Sequence, residues 1–338
     1  MGKWKPYIAR DIYGRRQVSL MKPWQFRKDA QAHWTVKCKF CGLENAIRWG
    51  TTPKGSIRFM CRSCGRTFVD NNAPPGMRFP VDVIASAVNH FYEGQSLNQI
   101  RRGLQEDFGS QPDHSNIYRW IVRYTKVAVD ALDDVTVDVG DVWIADETVL
   151  KLKEEGGINV WFFDCIDDDT RFLLASHLTV SRYTRDAQTL MERAERRAGK
   201  APKLVITDRL RSYLDAIEKT FGAASKHYQS GPFALDRSTR AIERFHGTLK
   251  DRTKVMRALA NRESAKLVMN GWLCHYNFFR PHSGIGDKTP AEAAGVRDLP
   301  FKSWRDVVMG GRALENPSRP FRVKLIRPAP PDWPYRDG

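Results

Sequence analysis

The sequence predicts a mixed α/β domain in its C-terminal half, preceded by a small metal-held module and a short helical module. Three observations predict it. Four cysteines fall in two matched pairs, helical periodicity follows a turn-rich linker, and from Asp138 the texture changes to β-branched and aromatic runs separated by turns. With 338 residues, 41% of them hydrophobic, the chain is long enough for two or three domains with a real core.

Residues 1–37 form a basic arm. It carries nine basic side chains and two acids, with Trp4, Trp24, Phe26 and Trp34 among them. Basic and aromatic residues together suit contact with nucleic acid.

Residues 38–72 contain Cys38, Cys41, Cys61 and Cys64, spaced Cys-x2-Cys-x19-Cys-x2-Cys. Each pair supplies two soft ligands from one tight turn, as a four-sulfur tetrahedral zinc site requires. Gly42 and Gly65 follow the second cysteine of each pair, where the turn needs freedom in φ. A closed four-cysteine site has no open position, so the expected Zn2+ is structural. Paired cysteines of this kind indicate a reducing compartment. Cys165 and Cys274 read as small buried core residues.

The linker Asn71–Pro80 leads into a helical module over residues 80–130. Val81–Tyr92 shows amphipathic spacing and stops at Gly94. Ser96 can cap a second helix with Leu97, Ile100 and Leu104 inward. A third helix spans Asp113–Val127, with Ile117, Trp120, Ile121 and Tyr124 inward. His114, Asn116, Arg119 and Arg123 face outward, which fits the reading helix of a helix-turn-helix.

Residues 138–297 hold the α/β domain. Three antiparallel strands are expected in DVWIADETVLKL, INVWFFDCID and RFLLASHLTV. A helix over Thr184–Arg197, the short buried strand KLVITD, and helices over Ser212–Phe221, Ser238–Ala260 and Ser264–Asn277 follow. The order βββαβα…α is that of a ribonuclease-H-like fold, with a mixed five-stranded sheet. After about Asp298 the chain is basic and Pro-rich, and residues 298–338 are expected to be a loosely ordered tail.

Lys and Arg number 55 against 39 Asp and Glu, a net charge of +16. An excess of that size points to a polyanionic partner such as DNA. No apolar run is long enough to span a bilayer, and the first residues, MGKWKPYIAR, lack the apolar stretch of a secretory signal. The expectation is a cytoplasmic, nucleoid-associated protein with no membrane partner.

Candidate chemistry lies in the carboxylates. Asp146 sits within an apolar strand, where an acid is costly unless a cation accompanies it. Asp208 ends the strand LVITD, at the carboxyl edge of the sheet where ligands of α/β folds gather. Glu147 is a rival for Asp146. Alternation points the two to opposite faces of the strand, so only one of them should enter a site. Glu243 lies on a helix, IERFHGTLKDR, followed by His246, Gly247 and Lys250 at i+3, i+4 and i+7. Asp164 reads as a pairing acid and Asp215 as a surface acid. Carboxylates converging from different elements are what two Mg2+ (or Mn2+) ions need in phosphoryl transfer.

The runs WIADETVLKL, ITDRLRSY and IERFHGTLKDRTKVMR resemble bacterial and archaeal insertion-sequence transposases of family six. The resemblance covers roughly Asp141 to Val296. It implies a DDE catalytic core of ribonuclease-H type, related in fold to retroviral integrase, with Asp146, Asp208 and Glu243 as the metal-binding triad. The 34 residues between Asp208 and Glu243 fit that family's spacing. Lys250 falls where the family keeps a basic residue seven after the Glu, and it is expected on DNA phosphate with His246, Arg252 and Lys254. HYNFFRPHSGIGDKTPAEAAG resembles the end of the integrase-like core, and His275, Tyr276, Asn277, Arg280, Pro281 and His282 are expected as scaffold or DNA contacts. Relatives often carry Asn three or four residues before the Glu; this chain has Thr239 and Arg240.

The implied function is DNA transposition: binding of terminal inverted repeats, cleavage, and strand transfer into target DNA by a homodimer or larger assembly. Two alternatives are a domesticated, non-catalytic DNA-binding regulator and a nuclease that cuts without joining. Three acids near DNA phosphate are a burden for a pure binder, which weighs against the first.

Overall fold

The computed structural model describes residues 5–10, 16–21, 36–133, 135–153, 159–231, 239–256 and 261–310. Within the basic arm, β1 (Lys5–Arg10) and β2 (Arg16–Met21) pair antiparallel. Trp4, Trp24, Phe26 and Trp34 lie outside the described residues, as does the tail from residue 311 onward.

A three-stranded antiparallel sheet follows, built from β3 (Ala46–Thr51), β4 (Ile57–Cys61) and β5 (Thr67–Val69) in that order. Its small core is Val36, Cys38, Phe59, Cys61 and Phe68, with the Phe59 and Phe68 rings stacked at 5.9 Å. So few apolar residues cannot hold a fold unaided, which agrees with a metal at the cysteines.

The helical module is α1 (Val81–Tyr92), α2 (Leu97–Phe108) and α3 (His114–Leu132). Ser96 caps α2 as expected: its hydroxyl accepts from Gln99 N–H while the Gln99 side chain accepts from the Ser96 backbone. Helix α3 continues past Val127 to Leu132 because Ala128 and Leu132 add another buried turn.

The large sheet has strand order β10-β9-β6-β7-β8. It comprises β6 (Val142–Lys151), β7 (Asn159–Asp167), β8 (Leu173–Thr179), β9 (Leu204–Thr207) and β10 (Lys226–Gln229). The first three run antiparallel, whereas β9 is parallel to β6 and β10 is parallel to β9. Three antiparallel strands with two parallel ones added beside the first make this a ribonuclease-H-like sheet. Strand β7 is interior, between β6 and β8, and buried on both faces, which is why it reads as a continuous apolar run. Helices α4 (Thr184–Ala198) and α5 (Arg211–Phe221) cover one face, where Tyr213 packs edge-on against Phe163. Helix α6 (Arg240–Val255) covers the other, where His246 meets Asp164, the next residue along β7.

Helix α7 (Arg262–Cys274) ends in a π-turn over His275–Phe279, one turn before the helical stretch expected to reach Asn277. Short α8 (Pro290–Ala293) and α9 (Trp304–Gly310) follow. Helix α9 falls inside the stretch expected to be a loose tail. The structure corrects that expectation as far as Gly310, because Phe301, Trp304, Val307 and Val308 are buried.

One apolar core runs without a break from Val81 in α1 to Val308 in α9. Helix α9 packs on α1, and α7 packs on α3. The Tyr92 ring lies parallel to Trp304 at 5.1 Å, and its hydroxyl shares a 2.6 Å hydrogen bond with Thr125. Gly271 leaves the space for that hydroxyl, since a Cβ there would overlap it. Trp304 Nε1–H donates to His275 Nδ1 at 3.1 Å, and His275 Nε2 lies 3.1 Å from Glu93 Oε1. Asn277 clamps the backbone of Leu173, accepting from its N–H and donating to its carbonyl. His275, Tyr276 and Asn277 are therefore buried scaffold.

Candidate active site and cysteine cluster

Strand β6 and the end of β9 bring two carboxylates side by side. The parallel pairing puts Ile144 opposite Ile206, so Asp146 and Asp208 each follow two residues later on adjacent chains. Asp146, Glu147 and Asp208 each offer a carboxylate oxygen within 4.8 Å of the others. The expected alternation holds for the environments of Asp146 and Glu147 but does not exclude Glu147 from the cluster. Asp146 faces α6, whereas Glu147 lies on the α5 side, where Tyr213 Oη donates to its Oε2 at 3.3 Å and Arg182 pairs with its Oε1. The Arg182 guanidinium also sits 4.0 Å over the Trp161 ring. The Asp208 Oδ1 accepts the Leu210 N–H at 2.9 Å.

Burial raises the Asp208 carboxyl above its usual range, and the charge of Asp146 adds to it. Burial raises Glu147 as well, followed by the charge of Asp208, despite Arg182. Crowded carboxylates held partly out of water, with hard oxygen donors converging, fit a divalent cation.

His246 is expected among the DNA contacts; the structure places it inside instead. Three residues after Glu243 at about 100° per residue turn its side chain some 60° away, toward the sheet. There its Nε2 lies 3.2 Å from Asp164 Oδ2 and its Nδ1 3.5 Å from Asp146 Oδ2. Burial alone would lower the imidazole, but Asp146 and Asp164 hold it up, to about 9. Asp164 is a pairing acid, as the sequence suggests, and is fully buried.

Glu243 stands on the first turn of α6, exposed, and does not join the cluster of three carboxylates. Its Oε1 accepts from Thr239 Oγ1 at 2.7 Å. Thr239 thus supports the Glu from the position four before it. Lys250 and Lys254 are exposed on the same helix. Arg252 departs from the expectation of a DNA contact: it is 2% exposed, and its guanidinium lies 3.8 Å from the Phe91 ring centroid. In the helical module Arg119 and Arg123 are exposed, while His114 and Asn116 are half-buried and His114 Nε2 lies 2.6 Å from Asn98 Oδ1.

The four cysteines of the ribbon come together, each Sγ within 4.8 Å of the others. Cys38 to Cys64 is 3.7 Å and Cys41 to Cys61 is 3.5 Å. A tetrahedron of sulfurs at about 2.3 Å from zinc has edges of about 3.8 Å, so the set fits that ion. Gly42 and Gly65 adopt φ of 74° and 70°, and their N–H groups each bond to the first cysteine of their pair at 2.8 Å. Burial opposes ionisation of Cys61, yet the N–H groups of Cys64 and Ser63, together with the thiols of Cys41 and Cys64, bring it down to about 6. Burial pushes Cys38 up to about 12.

Residues 140–282 match the family described as DDE domain. The matched span holds β6, the end of β9 and α6, and with them every residue of the carboxylate cluster and Glu243. No curated relative matches the chain. Among solved structures, the chain is similar to the HTLV-2 integrase catalytic core domain in complex with magnesium, at 14% identity and a TM-score of 0.35, over 46% of this chain and 95% of that one. It is similar to a simian T-cell lymphotropic virus intasome at 14% identity and a TM-score of 0.37, over 64% and 77%. The BIV integrase catalytic core domain gives 16% identity and a TM-score of 0.34, over 46% and 93%. Strand order and strand directions define the ribonuclease-H-like fold. Among the described residues no helix is long and apolar enough to cross a membrane.

Proposed function

We propose that this chain is a DDE transposase, which binds the ends of an insertion sequence and carries out magnesium-dependent DNA cleavage and strand transfer. The observation that carries the reading is the coincidence of the DDE-domain match with Asp146 and Asp208 side by side at the edge of a ribonuclease-H-like sheet.

In this reading Asp146 and Asp208 hold a divalent cation, and Glu243 completes the set from α6 with Thr239 orienting it. Bound Mg2+ or Mn2+ would supply a nucleophilic oxygen and stabilise the leaving one. Lys250 and Lys254, on the Glu243 side of α6, hold DNA phosphate beside the acids. The outward face of α3, with Arg119 and Arg123 and the partly covered His114 and Asn116, and the zinc-held ribbon recognise the element's ends. Joining two ends calls for a homodimer or larger assembly.

Strand transfer on a labelled duplex bearing the element's end, with Mg2+, tests the reading. Joined product from wild type, and none from Glu243→Gln or Asp208→Asn, supports it. Full joining by Asp208→Asn overturns the assignment of the acids. Cleavage without joining by wild type leaves a nuclease.

A further inference from the structure

Asp164 sits in the middle of the interior strand β7, directly opposite Asp146 in the register, and is 0% exposed. Its Oδ1 has no hydrogen-bond partner among the described residues, and its Oδ2 meets only the imidazole of His246. A buried acid–imidazole pair of this kind gains little for folding over a pair of apolar side chains of similar size, which would carry no desolvation cost. What the arrangement does achieve is orientation. An imidazole held at Nε2 by a fixed acid has one direction in which to present Nδ1, and that direction is Asp146 Oδ2, 3.5 Å away. The other two acids of the cluster have holders of their own. Leu210 N–H holds Asp208, while Arg182 and Tyr213 hold Glu147.

We propose that Asp164 and His246 are positioning residues for the cation site: Asp164 fixes the imidazole, and His246 Nδ1 holds one oxygen of Asp146 so that the carboxylate is set for the ion. This rests on the reading of the carboxylate cluster as a cation site. Neither residue touches DNA or the reacting atoms. Asp164 is as essential to this arrangement as His246, although it lies behind the imidazole and never reaches the ion. Outer partners of this kind commonly alter metal affinity by about 10- to 100-fold.

The test is binding of Mn2+ alone to the full, zinc-loaded chain, followed by the electron paramagnetic resonance of the free ion. Wild type is compared with Asp164→Asn, His246→Ala and Asp208→Asn, and the thermal midpoint of each is taken without Mn2+. Asp164→Asn and His246→Ala should each raise the half-saturating Mn2+ concentration about tenfold. Each of these two variants leaves one partner of a buried pair alone and should lower the midpoint, so Mn2+ affinity is read well below it, where all variants are folded. Wild-type affinity in both variants, alongside lost binding in Asp208→Asn, overturns the positioning role and leaves the cation site standing. A lowered midpoint with wild-type affinity makes the pair structural and likewise overturns it. Unchanged affinity in Asp208→Asn removes the cation site itself, and the positioning role with it.

Discussion

The guanidinium of Arg252 lies 3.8 Å over the ring of Phe91, joining the helix that carries Glu243 to the first helix of the helical module. Nε and Nη1 of Arg252 have no hydrogen-bond partner among the described residues, and burial lowers the guanidinium to about 10. Its volume and its contact with the ring therefore matter more than its charge. Arg252→Met is expected to be neutral or stabilising, whereas Arg252→Ala opens a cavity and costs about 2 kcal/mol or more. Urea unfolding of both variants checks this, and equal losses would assign the role to the charge instead.

The crowding of Asp146, Glu147 and Asp208 predicts a conflict between stability and function. Asp208 and Glu147 are both raised. A carboxyl raised in the folded state binds protons more tightly there, so as pH rises above its ordinary value it works against folding. Asp208→Asn should raise metal-free stability, by about 1 kcal/mol. It should also abolish the further stabilisation given by Mg2+, which thermal unfolding with and without the ion reads directly.

The contact between Trp304 and His275 predicts acid sensitivity. Indole N–H can only donate, so His275 Nδ1 accepts from it and Nε2–H donates to Glu93. The imidazole is thus held neutral, and burial lowers it below 6.5, its ordinary value. A histidine lowered in the folded state takes up protons first when unfolded, so its contribution is present above 6.5 and is lost as pH falls below it. Glu93 is lowered by the His275 hydrogen bond, so its contribution is present above 4.5 and disappears as pH falls through its folded value. Stability should therefore decline below about pH 6.5, and His275→Gln should flatten the upper part of that decline. Urea midpoints measured across this range test it.

The ribbon's core is separate from the continuous core of the rest of the described chain. The full chain should carry about one zinc ion, and Cys61→Ser should release it. Zinc released on denaturation measures the first. Unchanged unfolding of the large sheet in Cys61→Ser would confirm that the ribbon folds on its own account.

Much of this architecture can be read from residue types. The runs around Asp146, Asp164 and Asp208 announce strands, and Cys38 to Cys64 announce a metal-held turn pair. Strand β10 is not legible in this way: its four residues, Lys226 to Gln229, show no apolar alternation and form a strand by pairing with β9. The partnership of Asp164 with His246 spans 82 residues, and no local pattern encodes it. Arg252 is different. Nine positions beyond Glu243 at about 100° each is half a turn, so helix geometry alone puts it opposite the Glu, while Lys250 and Lys254 return to the same side. The signal is present, and the run of basic residues conceals it. Likewise Phe301, Trp304, Val307 and Val308 carry helical spacing that the surrounding prolines and charges mask.

The unbroken core from α1 to α9 has a consequence for where DNA would be cut. Helix α3 is fastened to the rest of the core by its packing on α7 and, through the Thr125–Tyr92 hydrogen bond to α1, by the stacking of Tyr92 on Trp304, not merely by the chain that leads into β6. Under the proposed function, the base pairs held by α3 and the phosphate at Asp146 then stand at opposite jaws of a rigid calliper. The distance between recognition sequence and cleavage point becomes a property of packed side chains, fixed in base pairs and indifferent to the length of the connecting loop.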